Sequence, residues 1–307
     1  MEPIDTVCVF GAGFMGWQIA LQCATYGFPV KLYDISQDAL IRASQSIKEE
    51  LDKRVEDRRM SKEERLNSLN KIYTTRDMVE ATSGVDLVIE AVPERLEVKR
   101  KVFAMMDKVC DEHTILATNS SSICISKIED ATLRLDKLLN THFYNIPWSR
   151  SVVELMRGNS TSDETLERVR RFMESIGLTP LIVLKESTGF IFNRVWRAIK
   201  KECLHLVDEG VATFQDVDRI WMILYEKEIG PFGMMDRVGL DVVRDIEMVY
   251  YKESGDNRDA PPGLLLEKIE KGELGIKTGK GFYSYPKPEF REPGWLRREK
   301  SKPAGDP

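Results

Sequence analysis

Over the first two thirds of the chain, short apolar runs alternate with longer amphipathic stretches, a pattern that predicts strands separated by helices. The run Val7–Phe10 leads into a glycine-rich turn that opens a helix, and residues 28–33 form a second strand ending at Asp34. From 36 to 73 the pattern is helical, and Ser61 with Glu64 forms an S-x-x-E box that starts a second helix, so a helical hairpin is expected to stand off the sheet. Strands are expected at 85–90, 114–118, 138–143, 152–156 and 180–184, with helices at 94–109 and 163–176. Such alternation predicts an α/β fold, a Rossmann-like doubly wound and mainly parallel sheet covered on both faces.

Beyond Lys185 the pattern changes. Phe190, Ile191, Val195, Trp196, Ile199, Cys203, Leu206 and Val207 recur at helical spacing, in a segment too long and apolar for one exposed surface. A second, all-α domain is expected to begin here, giving domains at 1–186 and 187–307. Thr213 and Asp216 mark a further helix start, Gly230-Pro231 a break, and 239–253 another helix. The tail from Pro286, rich in proline and charge, is expected to be loosely held or disordered. There is no internal repeat.

At 307 residues the chain can bury two domain cores. With 42% hydrophobic and 31% charged residues, neither a disordered nor a membrane protein is indicated, and no apolar run approaches the ~18 residues of a membrane span. A formal net charge of -5 argues against nucleic acid as a partner. The acidic start Met1 to Asp5 has no secretory character, so a cytoplasmic address is expected. The five cysteines are odd in number and widely spaced, which fits reduced thiols and no metal site.

The turn after Val7–Phe10 reads Gly11-Ala12-Gly13-Phe14-Met15-Gly16, a G-x-G-x-x-G pattern. Its three glycines would make a tight turn, let backbone approach a pyrophosphate, and pack the helix closely on its strand, with the anion on free N–H groups at the helix start. Asp34 lies 18 residues after Gly16, where a carboxylate accepts from a ribose 2′-hydroxyl and repels a 2′-phosphate, so NAD is the expected cofactor. A glycine-rich turn without ligand is the bland alternative; the complete strand, turn, helix, strand and acid outweigh it. In the hairpin, seven basic and seven acidic residues lie between Lys48 and Arg65. They read either as a solvated, salt-bridged surface or as a phosphate clamp using Lys53, Arg54, Arg58, Arg59 or Lys62.

Of three histidines, His113 sits in a turn and His205 in the helical domain, both positions of surface or packed residues. His142 ends an apolar strand, at the sheet edge where open α/β folds place ligands. Oxidising a secondary alcohol needs a base for the hydroxyl proton as hydride leaves carbon, and a neutral imidazole suits that task. Glu154, in the next strand, is placed to return beside His142, fix its tautomer and stabilise the imidazolium. Cys124 has no adjacent base and is expected to pack.

These segments carry a resemblance that covers nearly the whole chain. Gly11 to Gly16, Glu90-Ala91-Val92-Pro93-Glu94, Asn119-Ser120-Ser121-Ser122-Ile123, His142-Phe143-Tyr144-Asn145, Val152 to Leu155, Gly189 to Arg194, Gly230-Pro231-Phe232 and Lys277 to Tyr283 occur in the order seen in the L-3-hydroxyacyl-CoA dehydrogenase family, which the sequence resembles. The resemblance implies that His142 is the general base and Glu154 its orienting partner. It implies that Ser121 bonds the reacting hydroxyl, and that Asn193 holds the substrate's carbonyl end with Asn145 nearby. Glu94, Lys99 and Asn119 match positions lining the cofactor site, although Glu94 and Lys99 also read as early-helix surface charges. A homodimer formed through the helical domain is implied, with a cleft between the domains that closes over the substrate. In the favoured direction a 3-ketoacyl thioester would be reduced.

Three departures bear on the substrate. After Asn145 the chain reads Ile146-Pro147-Trp148-Ser149-Arg150-Ser151, where the family has a proline-rich apolar segment, and Arg150 would suit a carboxylate on a smaller substrate. Glu50 and Asp57 stand at positions matching contacts to coenzyme A, with Arg54 and Arg58 as neighbouring compensation. Thr188 replaces a proline before Gly189. The related carnitine and L-gulonate dehydrogenases, with lambda-crystallin, act on small free hydroxy acids, so such an acid is the alternative to an acyl-CoA. A protein that binds NAD without turnover is the third reading.

Overall fold

Strands and helices alternate from the first apolar run onward: β1 (Val7–Phe10), α1 (Phe14–Thr25), β2 (Val30–Tyr33), α2 (Gln37–Glu56), α3 (Lys62–Asn70), β3 (Ile72–Thr75), α4 (Met78–Thr82), β4 (Leu87–Glu90), α5 (Leu96–Val109), β5 (Ile115–Thr118), β6 (Leu138–Phe143), β7 (Val152–Arg157), α6 (Asp163–Ser175) and β8 (Thr179–Val183). The computed structural model describes residues 2–297, and its chain divides into two units between Ile191 and Phe192.

In the first unit the eight strands form one sheet in the order β3-β2-β1-β4-β5-β6-β7-β8. Pairing is parallel as far as β6; β7 runs antiparallel to β6, and β8 parallel to β7. β1 is apolar throughout because both of its faces are covered. Val7 and Val9 pack with Ile19, Leu32 and Phe172 in one core, while Cys8 and Phe10 join Val88, Phe103 and Met106 in another, the two-residue period of a strand dividing its side chains between two layers.

The hairpin is α2 and α3. Ser36 caps α2 by accepting from the Ala39 N–H, and Leu40, Ala43, Ile47, Leu51 and Arg54 form its buried stripe. The Ser61–Glu64 capping box is complete in both directions. The expected helical excursion to 73 is too long, because Ile72–Thr75 is β3, the strand that ends the sheet beside β2. It is short and only half exposed, with no alternation to reveal it; its backbone partner, with Val30 opposite Ile72, makes it a strand.

The second unit contains α7 (Phe192–Asp208), α8 (Phe214–Leu224), α9 (Pro231–Val238), α10 (Leu240–Ser254) and α11 (Gly263–Glu270), around a core that includes Leu204, Phe232, Met235, Leu240, Val243 and Leu265. The helical pattern that starts at 189 becomes helix only at Phe192, since Gly189 and Phe190 have left-handed backbone (φ 77° and 54°). The Gly230-Pro231 break is also a start, because proline at the first position begins α9. Two buried aspartates tie the later loops to this core. Asp218 accepts from the N–H groups of Phe232 (2.8 Å) and Gly233 (3.0 Å) and from the Tyr283 hydroxyl (3.0 Å). Asp236 accepts from the N–H groups of Phe282 (2.9 Å) and Tyr283 (2.8 Å) and from the Tyr285 hydroxyl (3.1 Å).

The expected loose tail is corrected as far as Arg297. Phe290 is buried edge-on against Tyr283, and Trp295 lies under the Arg219 guanidinium, so aromatic burial outweighs the segment's proline and charge. Residues 298–307 of that tail lie outside the described residues.

Candidate active site

The strands at the middle of the sheet end level. Phe10 stands opposite both Tyr33 and Glu90, Glu90 opposite Thr118, and Thr118 opposite Asn140. Beyond these carboxyl ends lie the glycine turn, Asp34, residues 90–94 and residues 119–122. The chain's winding reverses between β1 and β4, the place where open α/β sheets bind ligands.

The three glycines of the turn have different surroundings. Gly11 has φ 115°, and a Cβ there would lie 2.7 Å from the Ala91 carbonyl oxygen, while one on Gly16 would overlap the Gly11 carbonyl. Gly13 has ordinary backbone and nothing within 4 Å of where its Cβ would be. Packing therefore needs the first and third glycines, whereas the second leaves room for a ligand. It leaves that room at the start of α1, where no side chain caps the helix and no acid occupies the first turn, so N–H groups and the positive helix end face the opening. Phe14 beside it is exposed and Met15 packs inward. Asp34 accepts from the N–H groups of Ala12 and Ser36, each at 2.8 Å, and its two oxygens keep lone pairs for a hydroxyl. This turn and its partly exposed acid fit NAD, which when bound supplies the acceptor for a hydride.

Lys99 is no surface charge: it is 1% exposed, with Nζ 2.8 and 3.0 Å from the two Glu90 oxygens and 3.2 Å from Glu94 Oε2. The Thr118 hydroxyl (2.6 Å) and the Val92 N–H (2.7 Å) also donate to Glu90. Glu94 accepts from the hydroxyls of Ser120 and Ser122 and from the Ser122 N–H. Burial alone would raise the Glu94 carboxyl, but Lys99 and the two hydroxyls prevail and hold it below the usual range. Lys99, Glu90 and Glu94 thus set the 119–122 turn against residues 91–94. Ser121 is the exposed member of that turn, and its hydroxyl has no hydrogen bond among the described residues. Asn119 accepts from the Phe143 N–H at 2.9 Å, joining the ends of β5 and β6.

His142 and Glu154 face each other as a cross-strand pair in the antiparallel β6–β7 ladder, which puts both side chains on one face. His142 Nδ1 is 2.8 Å from Glu154 Oε2, and both residues are buried. The Tyr144 hydroxyl donates to the same oxygen at 2.8 Å, and the Ile191 N–H to Oε1 at 2.8 Å. An ionised carboxylate only accepts, so beside it Nδ1 is the donor and Nε2 is the nitrogen left to exchange a proton with a substrate. Burial and the Glu154 carboxylate push the Tyr144 phenol well above its ordinary value, so it stays a donor. The Phe190 ring lies against the imidazole at a 5.0 Å centroid distance, tilted by 39°.

The loop after β6 is fastened at several points. The Ile146 N–H donates to Gln18 Oε1 at 2.5 Å, and the Ile146 carbonyl accepts from the N–H groups of Ser149 and Arg150, both at 2.9 Å. Trp148 packs beside Trp17 and under the Arg54 guanidinium, 4.4 Å from its ring centroid. Arg54, expected in a phosphate clamp, is 6% exposed and paired with Glu50 at 2.9 Å, which makes it a strut between α2 and this loop. On the open side of the hairpin, Arg59 pairs with Asp57 and Arg65 with Asp52, as a salt-bridged solvated surface would. Arg150 donates to Asn145 Oδ1. Asn193 stands in the first turn of α7, in the second unit.

Tyr144, Phe190 and the Ile191 N–H were not assigned from sequence. Tyr144 carried a signal, lying two residues after His142 and just past the end of β6; the other two meet His142 and Glu154 only through tertiary folding. Of the remaining histidines, His113 lies 3.5 Å from Asp86 at the surface and His205 is half-buried beside the Arg258 carbonyl. Cys124 packs with Met156, Val183 and Phe190, as expected.

Residues 6–187 match the family model described as 3-hydroxyacyl-CoA dehydrogenase, NAD binding domain, and residues 189–285 match the C-terminal domain of the same family. A probable 3-hydroxybutyryl-CoA dehydrogenase from Bacillus subtilis is 34% identical over 282 residues, covering 92% of this chain and 98% of the relative. A 5-formyl-3-hydroxy-2-methylpyridine 4-carboxylate 5-dehydrogenase from Mesorhizobium japonicum is 31% identical over 294 residues, covering 92% and 91%. The crystal structure of (S)-3-hydroxybutyryl-CoA dehydrogenase from Ralstonia eutropha superposes with a TM-score of 0.88 at 33% identity, over 92% of this chain and 100% of that one. With the glycine turn, the acid after β2 and two consecutive domain matches in agreement, the chain belongs to the NAD-dependent 3-hydroxyacyl-CoA dehydrogenase family.

Proposed function

We propose that this oxidoreductase converts an L-3-hydroxyacyl-CoA to the 3-ketoacyl-CoA and catalyses the reverse reaction, with His142 as general base. The observation that carries the reading is the buried His142–Glu154 pair, with Nδ1 held 2.8 Å from the carboxylate. Nε2 takes the substrate hydroxyl proton, and Glu154 stabilises the imidazolium that results. Tyr144 and the Ile191 N–H hold Glu154 so that it serves as orienting acceptor rather than proton acceptor. In the reverse direction the imidazolium returns the proton to the oxygen at C3. Ser121 and Asn145, neutral donors, follow that oxygen as it changes from hydroxyl to carbonyl, and Asn193 holds the thioester end.

The second reading, a small free 3-hydroxy acid, is favoured by Arg150, which has no carboxylate partner among the described residues, and by the acids of the hairpin, where Arg54 is internal. NADH formation measured with 3-hydroxybutyryl-CoA against carnitine, gulonate and other free 3-hydroxy acids separates the two. A higher kcat/KM for the thioester supports the first reading, a preference for free acids replaces it with the second, and NADH binding without turnover of anything leaves a binding protein.

A homodimer is part of the same proposal. On α8, Ile220 and Leu224 are 59% and 70% exposed, and they line an apolar groove of about 530 Å³ with Leu206 and Val217. An exposed apolar surface of this kind suits a second copy. A cytosolic address is proposed alongside it, consistent with five buried thiols.

A further inference from the structure

We propose that Arg150 is a positioning residue, which turns the amide of Asn145 so that its nitrogen faces the substrate. The inference rests on the function proposed above for Asn145 and adds a residue that function does not use. Arg150 Nη1 donates to Asn145 Oδ1. A guanidinium has donors and no acceptor, so the amide group beside it must present oxygen to Arg150 and nitrogen away from it. The ordinary ambiguity of an asparagine flip is thereby removed by chemistry.

The loop that carries both residues is built to keep this arrangement. Ile146 sits in left-handed backbone (φ 58°), with its N–H on Gln18, and its carbonyl receives the N–H groups of Ser149 and Arg150, which brings Arg150 back over Asn145. Trp148, wedged between Trp17 and Arg54, anchors the loop's outer side. Asn145 itself follows closely on His142, just past the end of β6. A donor fixed at this point serves the oxygen of the reacting carbon in both directions of the reaction, without offering an acceptor that competes with His142 for the proton.

The test is a double-mutant cycle on kcat/KM. Arg150→Met is expected to lower kcat/KM roughly five- to twentyfold, the loss of one oriented hydrogen bond. The factor should be the same for a CoA thioester and a free hydroxy acid, with NADH affinity and Tm unchanged. Arg150→Lys, which keeps a donor, is expected to recover much of the activity, and Arg150→Met in an Asn145→Ala background should cost nothing further. Unchanged kinetics in Arg150→Met overturn the proposal, as do losses that multiply with Asn145→Ala, or a loss confined to free acids, which would mean direct pairing with a substrate carboxylate. A second measurement needs no turnover: in Asn-selective labelled protein, the side-chain amide resonances that vanish in Asn145→Ala should shift in Arg150→Met, and an unchanged position overturns the proposal whatever the substrate proves to be.

Discussion

In the glycine turn, Gly13→Ala adds a methyl group with open space around it, so the protein should fold with a nearly unchanged Tm while NADH affinity falls about tenfold or more, read by fluorescence titration. Gly16→Ala drives a methyl into the Gly11 carbonyl and should instead lower Tm or prevent folding. Equal effects of the two substitutions on Tm would mean that the turn does not separate packing from ligand binding. The His142–Glu154 pair makes a second prediction. His142→Ala should cost ~10²- to 10⁴-fold in kcat with NADH binding retained. Glu154→Gln should cost about 10- to 100-fold, because one amide oxygen must replace an oxygen that meets both His142 and Tyr144. Retained activity in His142→Ala would remove the imidazole from the chemistry.

Among the secondary-structure elements, the turn, the capping box and most strands were legible because each follows from local composition. Three features were not. β3 has no periodicity of its own and exists because β2 offers it a ladder. Arg54 reads in sequence as one base among many, and only its place on the buried stripe of α2, with Leu40, Ala43, Ile47 and Leu51, shows that it points inward. The Gly230-Pro231-Phe232 and Lys277 to Tyr283 segments read as signatures without a visible task, and the structure shows the task to be receiving two buried carboxylates. One of those carboxylates, on α8, gives a pH prediction for the second unit. Burial outweighs its three donors and raises Asp218 from 3.8 to about 6. A raised carboxyl favours the protonated form in the folded state, so its contribution to stability is fully present below about 3.8 and is lost as pH rises through about 6. Chemical denaturation across the interval from 3.8 to about 6 should therefore show stability rising more steeply with pH in Asp218→Asn than in the unaltered protein. Equal slopes would mean that Asp218 titrates normally.

For the whole molecule, the proposed dimer predicts that Ile220→Glu with Leu224→Glu shifts the sedimentation equilibrium toward monomer while each unit stays folded by circular dichroism. An unchanged mass would place any self-association elsewhere. Chain order alone was enough to set the alternation of strands and helices, the change to an all-helical second part, the glycine turn with Asp34, and the pairing of His142 with Glu154, because these depend on local period, turn chemistry and short spacing. It took the folded chain to settle which charges are internal, that Tyr144 and the Ile191 N–H hold Glu154, that Arg150 meets Asn145, and that the tail to Arg297 is packed. Those outcomes depend on burial and on partners brought together by the fold, and the free energy of a charge or a donor is set by what surrounds it rather than by its neighbours along the chain.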